Sequence, residues 1–139
     1  MTNLVVSLEL SKKVEDLGCP QVSKFYYCIS QSVVGGWEIK TDEEIKRCCY
    51  PVKKKYSAYL SDEVLRWLPY RLRMEDYDYW LKISKSRFGY DIRYVSTAAL
   101  CNVFKGNDGI KQDDTLPNAL ALMLIYLLEH NLLKAENLL

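Results

Sequence analysis

Apolar positions recur at helical spacing in three stretches of the chain and alternate with polar positions in others. The longest apolar run is Leu116 to Leu133. Leu116, Leu120, Met123, Leu124 and Leu127 form one stripe, and Leu122, Ile125 and Tyr126 continue it round the helix. A helix apolar on most of its circumference is buried on most of it. This one is expected between a sheet and a second helix or a partner. Asp114 or Thr115 is placed to cap it, Pro117 falls where an amide has no intrahelical partner to lose, and His130-Asn131 close it. The run is shorter than the roughly 20 apolar residues that span a bilayer.

Two shorter helices precede it. Ser7 is an N-cap candidate, Leu10, Val14 and Leu17 follow on one face, and Gly18 stands where a terminal glycine belongs. Ser61 begins a second, capped by its own side chain, with Asp62 and Glu63 at the positive end, Val64, Leu65 and Leu68 buried, and Pro69 as its stop. Thr41 and Glu44 match a capping box that starts a short helix running through Cys49.

Alternation marks the strands. Phe25, Tyr27 and Ile29 share one face of Lys24 to Ser30, and Gly35-Gly36 leads to Trp37 through Lys40, a hairpin pattern. Tyr79 to Ser84 and Gly89 to Val95 form the better hairpin. There Leu81 and Ile83 alternate with Trp80 and Lys82, and Tyr90, Ile92 and Tyr94 with Asp91 and Arg93. Lys53 to Leu60 reads as a solvated turn and a short extended segment. Residues 96–115, with the Gly106 to Gly109 loop signal, read as a surface loop. The expected fold is α+β: one domain over 1–139, with an antiparallel sheet of about four strands packed against a long C-terminal helix and two shorter helices.

Charge changes this picture in one place. The chain is nearly neutral, at +1. Residues 46–94, however, hold 12 basic against 6 acidic side chains, a net of +6, and most of the tyrosines. Lys53, Lys54, Lys55, Arg71, Arg73, Lys85 and Arg87 are the candidate contacts for a partner or a nucleic acid, with Lys82 and Arg93 interleaved among the tyrosines. Basic, tyrosine-bearing sheets bind single strands. The same side chains also lie as solvated stems over aromatic rings. Tyrosine and arginine are equally the residues of protein interfaces, and Trp37, Trp67 and Trp80 add bulk. An unidentified protein partner, or self-association through a sheet edge or the terminal helix, fits this composition best.

Catalytic chemistry finds little support. The chain has one histidine, His130, so neither a Ser–His–Asp set nor a zinc site of His ligands can be assembled. The five cysteines, Cys19, Cys28, Cys48, Cys49 and Cys101, show no C-x-x-C spacing and read as reduced thiols of a cytoplasmic protein. Cys28 or Cys101 with His130 is the one conceivable thiol–imidazole pair. Asp113-Asp114 and the Glu75, Asp76 and Asp78 cluster could each hold a divalent cation weakly, but solvated loops carry such clusters routinely. Neither glycine pair matches a phosphate-binding fingerprint. The N-terminus lacks the pattern of a signal peptide. No cofactor, metal or membrane is expected.

Five segments in this order resemble a family of small proteins encoded by bacteriophages and prophages of gut and related bacteria. They are VSLELSKKVEDLG, FYY, LSDEVLRWLP, YWLKI and LPNALALMLIYLLEHNLL. The resemblance spans most of the chain except residues 41–55 and 96–112. It implies a phage or prophage origin and a cytosolic setting in the host. The family has no established activity, and so it implies no catalytic residues.

Overall fold

A computed structural model describes residues 3–30, 36–47, 52–74, 76–96 and 103–138, with the side chains of Ser30 and Lys53 outside the description. The fold is α+β. Its strands divide between two antiparallel sheets, of three and four strands, and do not form one sheet.

The terminal run folds as α4 (Leu116–Glu129), and ten of its residues are buried. It packs against the four-stranded sheet on one side and against two helices, α1 (Leu8–Asp16) and α3 (Ser61–Trp67), elsewhere. Thr115 is the N-cap by position, but its side chain makes no cap bond. The Asp113 carboxylate instead accepts from the Thr115 amide at 3.1 Å. At the far end Asn131 is left-handed, with φ 58°. The Leu132 amide reaches the Leu127 carbonyl and the Asn131 amide the Leu128 carbonyl, the paired bonds that close a helix on a left-handed residue. Gly18, at φ 87°, closes α1 in the same way, through Cys19 to Val14 and Gly18 to Glu15.

The first sheet has the order β2-β1-β3, with β1 (Phe25–Ser30), β2 (Glu38–Thr41) and β3 (Val52–Ser57). The β1–β2 hairpin is the expected one. The turn expected over Lys53 to Leu60 is absent: β3 pairs with β1, and Tyr56 through Tyr59 are buried. Three successive lysines disguised that strand. Lys54 and Lys55 are exposed, while the residues that follow supply the core. The short helix α2 (Asp42–Arg47) is capped by Thr41, whose hydroxyl accepts from the Glu44 amide at 3.2 Å. Its described residues run to Arg47, and Cys48 and Cys49, through which the helix was expected to run, lie outside the described residues.

The cap of α3 also differs from expectation. Leu60 is the N-cap and Ser61 the first helical residue. Glu63 accepts from the Leu60 amide at 2.7 Å, and from Ser23 and the Lys24 amide as well. Val64 and Leu68 are buried, but Leu65 is exposed, because two turns of helix offer one narrow buried stripe.

The second sheet is a meander, β4-β5-β6-β7, with β4 (Arg71–Met74), β5 (Tyr77–Ser86), β6 (Gly89–Val95) and β7 (Lys111–Asp113). The β5–β6 hairpin is the predicted one. Residues 96–115 are not simply a surface loop. Val103 bridges to Val95, Phe104 is buried in the main core, and β7 joins β6. Gly89, at φ 119°, lies so close to β7 that a Cβ there would stand 2.4 Å from the Asp113 carbonyl oxygen.

Val5 and Val6, both fully buried, join the two halves. Val5 belongs to the core under the three-stranded sheet and Val6 to the main core around α4. The Val6 carbonyl accepts from the Tyr27 hydroxyl at 2.7 Å, and the Ser7 amide donates to Asn118 in the first turn of α4 at 2.8 Å.

Leu124 is fully buried at the middle of α4. Leu124→Ala is expected to lose about 2–5 kcal/mol in chemical denaturation. Leu124→Asp, which buries a charge without a partner, is expected to give no cooperative melt by circular dichroism.

Candidate interaction surface

Alternation along the four-stranded sheet sends its residues to two faces. Leu72, Ile92 and Tyr94 are buried towards α4, with Met74, Tyr79, Leu81 and Tyr90 packed beside them. The Tyr94 hydroxyl is buried and donates to the Pro69 carbonyl at 2.5 Å, and burial raises its pKa. The opposite face carries Arg71 and Arg73 from β4, Asp78, Trp80 and Lys82 from β5, Asp91 and Arg93 from β6, and Gln112 from β7. Register places Arg71 opposite Trp80, Lys82 opposite Arg93 and Asp91 opposite Gln112.

Two features stand out on this outer face. Tyr70, just before β4, stacks on Trp80 with ring centroids 6.3 Å apart and planes at 25°. Tyr70 is 74% exposed and Trp80 44%. Stacked rings left this open to water are a ready contact for another molecule. The second feature is a carboxylate hub. Arg93 donates to both oxygens of Asp91, at 2.9 and 2.5 Å, and Gln112 donates to one of them at 2.9 Å. The Arg93 hydrogen bond is the main reason the Asp91 carboxyl lies below the ordinary carboxylate range. Arg71 is held loosely: its Nε is 3.9 Å from Asp78 Oδ1, beyond hydrogen-bond reach.

The seven basic candidates do not gather on this face. Only Arg71 and Arg73 lie there. Lys54 and Lys55 belong to the other sheet, on opposite sides of β3. Lys54 Nζ is 5.0 Å from the Tyr56 ring centroid, and Lys55 Nζ is 4.7 Å from that of Tyr26. The Lys53 side chain is outside the described residues. Lys85 and Arg87 sit at the β5–β6 hairpin tip, over Tyr90 and Phe88. The stem-over-ring arrangement therefore accounts for four of the seven. What the candidate set omitted is the Tyr70–Trp80 pair and, with it, Lys82 and Arg93. The alternation of Leu72 and Met74 with Arg71 and Arg73 marks a strand, but only the pairing of that strand with β5 puts the arginines on the side of Trp80.

His130 is exposed at the end of α4, with Nδ1 2.9 Å from the Tyr126 carbonyl, so the ring N–H donates along its own helix. Cys28 is buried in β1, and Cys101 lies outside the described residues. Cys19 is buried, and burial pushes its thiol up to about 11, which leaves almost no thiolate at neutral pH. Among the described residues no group of three His, Cys, Asp or Glu side chains could hold a metal, and no helix is long and apolar enough to cross a membrane. Glu75 lies outside the description. The chain matches no family model, and neither a curated protein nor a solved structure matches it.

Two outcomes follow from these protonation states. Asp91 has a lowered folded pKa, so its stabilisation is present above the unfolded value of about 3.9 and lost as pH falls through the folded value. The gap in melting temperature between the native protein and Asp91→Asn should be widest near neutral pH and close steadily below about pH 4. An unchanged gap at low pH would show that Asp91 contributes nothing through its charge. Cys19 should resist iodoacetamide in the native protein and react only under denaturing conditions, as read by peptide mapping.

Proposed function

We propose that the chain is a non-enzymatic protein-interaction module, an accessory protein of a phage or prophage acting in the cytoplasm, and that it works through the outer face of the four-stranded sheet. The exposed Tyr70–Trp80 stack beside Arg71 and Arg73 carries this reading. Tryptophan, tyrosine and arginine dominate the residues whose removal weakens protein interfaces most. Here all three types share one wet face, and the rest of the sheet holds that face rigid through α4. The resemblance of five segments to phage- and prophage-encoded proteins supports the setting, and the buried thiol of Cys19 suits a reducing compartment.

A second reading, single-stranded nucleic-acid binding, draws on one further observation. Lys82 and Arg93 lie directly opposite each other across β5 and β6. Asp91 already balances the Arg93 charge, and a phosphate would meet the Lys82 ammonium beside it. Stacked rings nearby could take a base.

An affinity capture from lysate of the native host, with and without nuclease, separates the two. The protein reading expects a partner that survives nuclease and is lost with the Tyr70→Ala/Trp80→Ala double variant. That loss should be roughly thirtyfold or more in affinity, the effect of about 2 kcal/mol at an interface hot spot. Both rings are exposed, so the variant's melting temperature should stay close to the native value. Capture that disappears with nuclease, together with a gel shift on single-stranded DNA or RNA that weakens with salt, would replace the protein reading with the nucleic-acid one.

A further inference from the structure

The outer strand of the four-stranded sheet, β4, has an open edge whose hydrogen-bonding groups can be assigned. The Leu81 amide donates to the Tyr70 carbonyl at 2.9 Å. The register continues as Arg71 opposite Trp80, Leu72 opposite Tyr79, Arg73 opposite Asp78 and Met74 opposite Tyr77. In an antiparallel pair, residues that exchange hydrogen bonds alternate with residues that do not. Tyr70, Leu72 and Met74 therefore turn their main-chain groups towards β5. Arg71 and Arg73 turn theirs the other way, to the side where, among the described residues, the sheet has no further strand. Both arginines are exposed, and among the described residues no hydrogen bond is made to that side of them.

An edge of this kind is a template for another strand, and charge on it decides which. Two copies of β4 paired antiparallel about Leu72 would set arginine against arginine, so self-pairing is opposed. An extended segment with carboxylates at alternate positions would meet the opposite condition. Its side chains on the outer face repeat every two residues, as do Arg71 and Arg73, and each guanidinium could take a carboxylate through two hydrogen bonds. Arg71 is free to do so because its contact with Asp78 is long.

Resting on the protein-interaction reading, we propose that β4 binds an extended acidic segment of a partner protein as a fifth strand of the sheet. The N–H and C=O groups of Arg71 and Arg73 supply the ladder, their guanidiniums select alternating carboxylates, and the Tyr70–Trp80 stack receives a side chain at one end. Strand addition of this type takes affinity from the main chain and specificity from alternate side chains. A nucleic acid would use the guanidiniums and the rings but leave the outward amides of β4 without partners, so the edge favours a peptide.

The test uses the full chain and a fluorescent peptide of Glu-Val repeats. Controls are a Lys-Val repeat, the same Glu-Val peptide N-methylated at alternate residues, and oligothymidine. Anisotropy should show binding of the Glu-Val peptide alone. Affinity should fall about tenfold in Arg71→Gln and again in Arg73→Gln, the order of one hydrogen bond to a charged group. Amide hydrogen exchange, read by NMR on the native protein, should slow at Arg71 and Arg73 when the peptide binds and stay unchanged at Leu72. Equal binding of the N-methylated peptide, unslowed amides, or binding of oligothymidine alone would each overturn strand addition. If capture of the host partner still depends on Tyr70 and Trp80 while no acidic peptide binds, strand addition fails and the interaction module stands. If capture is indifferent to those rings as well, both readings fail.

Discussion

The structure depends on covering α4. From Ala119 to Leu128 every residue but Leu122 is buried, and no direction round the helix is polar enough to face water. Each large side chain removed from water contributes roughly 1.5–3 kcal/mol, so a helix of this composition is stable only when enclosed. The four-stranded sheet covers one side through Ile92, Tyr94 and Leu72, and α1 and α3 cover others through Val14 and Val64. The N-terminal segment is drawn in as well, since Val6 enters the same core and Ser7 is bonded to Asn118. The three-stranded sheet is a further tier, attached through its own small core around Val5, Tyr27 and Tyr56.

This enclosure explains why one face of the four-stranded sheet is available for contact. An antiparallel sheet needs only one packed face, and α4 supplies it. The other face can then carry an arginine–carboxylate hub at one end and an exposed ring stack at the other without loss of core. It also explains why the basic candidates separate. Strands β3 and β5 belong to different sheets, so lysines that are neighbours in composition are not neighbours in space.

The sequence reading recovered the elements whose cause is local. Ser7 with Gly18, Thr41 with Glu44, and Asn131 after α4 are recognised by cap chemistry that operates within a few residues. Alternation from Tyr79 to Val95 likewise reports a hairpin in which both strands are present in one window. It failed where the cause is distant. Lys53 to Lys55 look solvated, yet they occupy a strand because β1 waits for a second partner. Leu60 displaced Ser61 as cap because Glu63, already bonded to Ser23, turns back to the Leu60 amide. Phe104 lies in a segment rich in glycine and asparagine and is still buried against Tyr79. The aromatic stack was invisible for a related reason. Tyr70 and Trp80 meet only once β4 is paired with β5, and no spacing along the chain announces that pairing.

The order of elements along the chain has a consequence for synthesis. Strands β6 and β7 and helices α1 and α3 all precede α4, the element that covers them. As the polypeptide leaves the ribosome, their apolar faces emerge first and have no helix to receive them. Domains fold as units, and at about 5–20 residues per second the interval before α4 appears lasts seconds. During that interval the nascent chain presents the inner face of a β-hairpin to solvent, the kind of surface that chaperones hold. Yield in the cell should therefore follow how fast translation passes from β6 through residues 96–115, and slow codons there would lengthen the exposure.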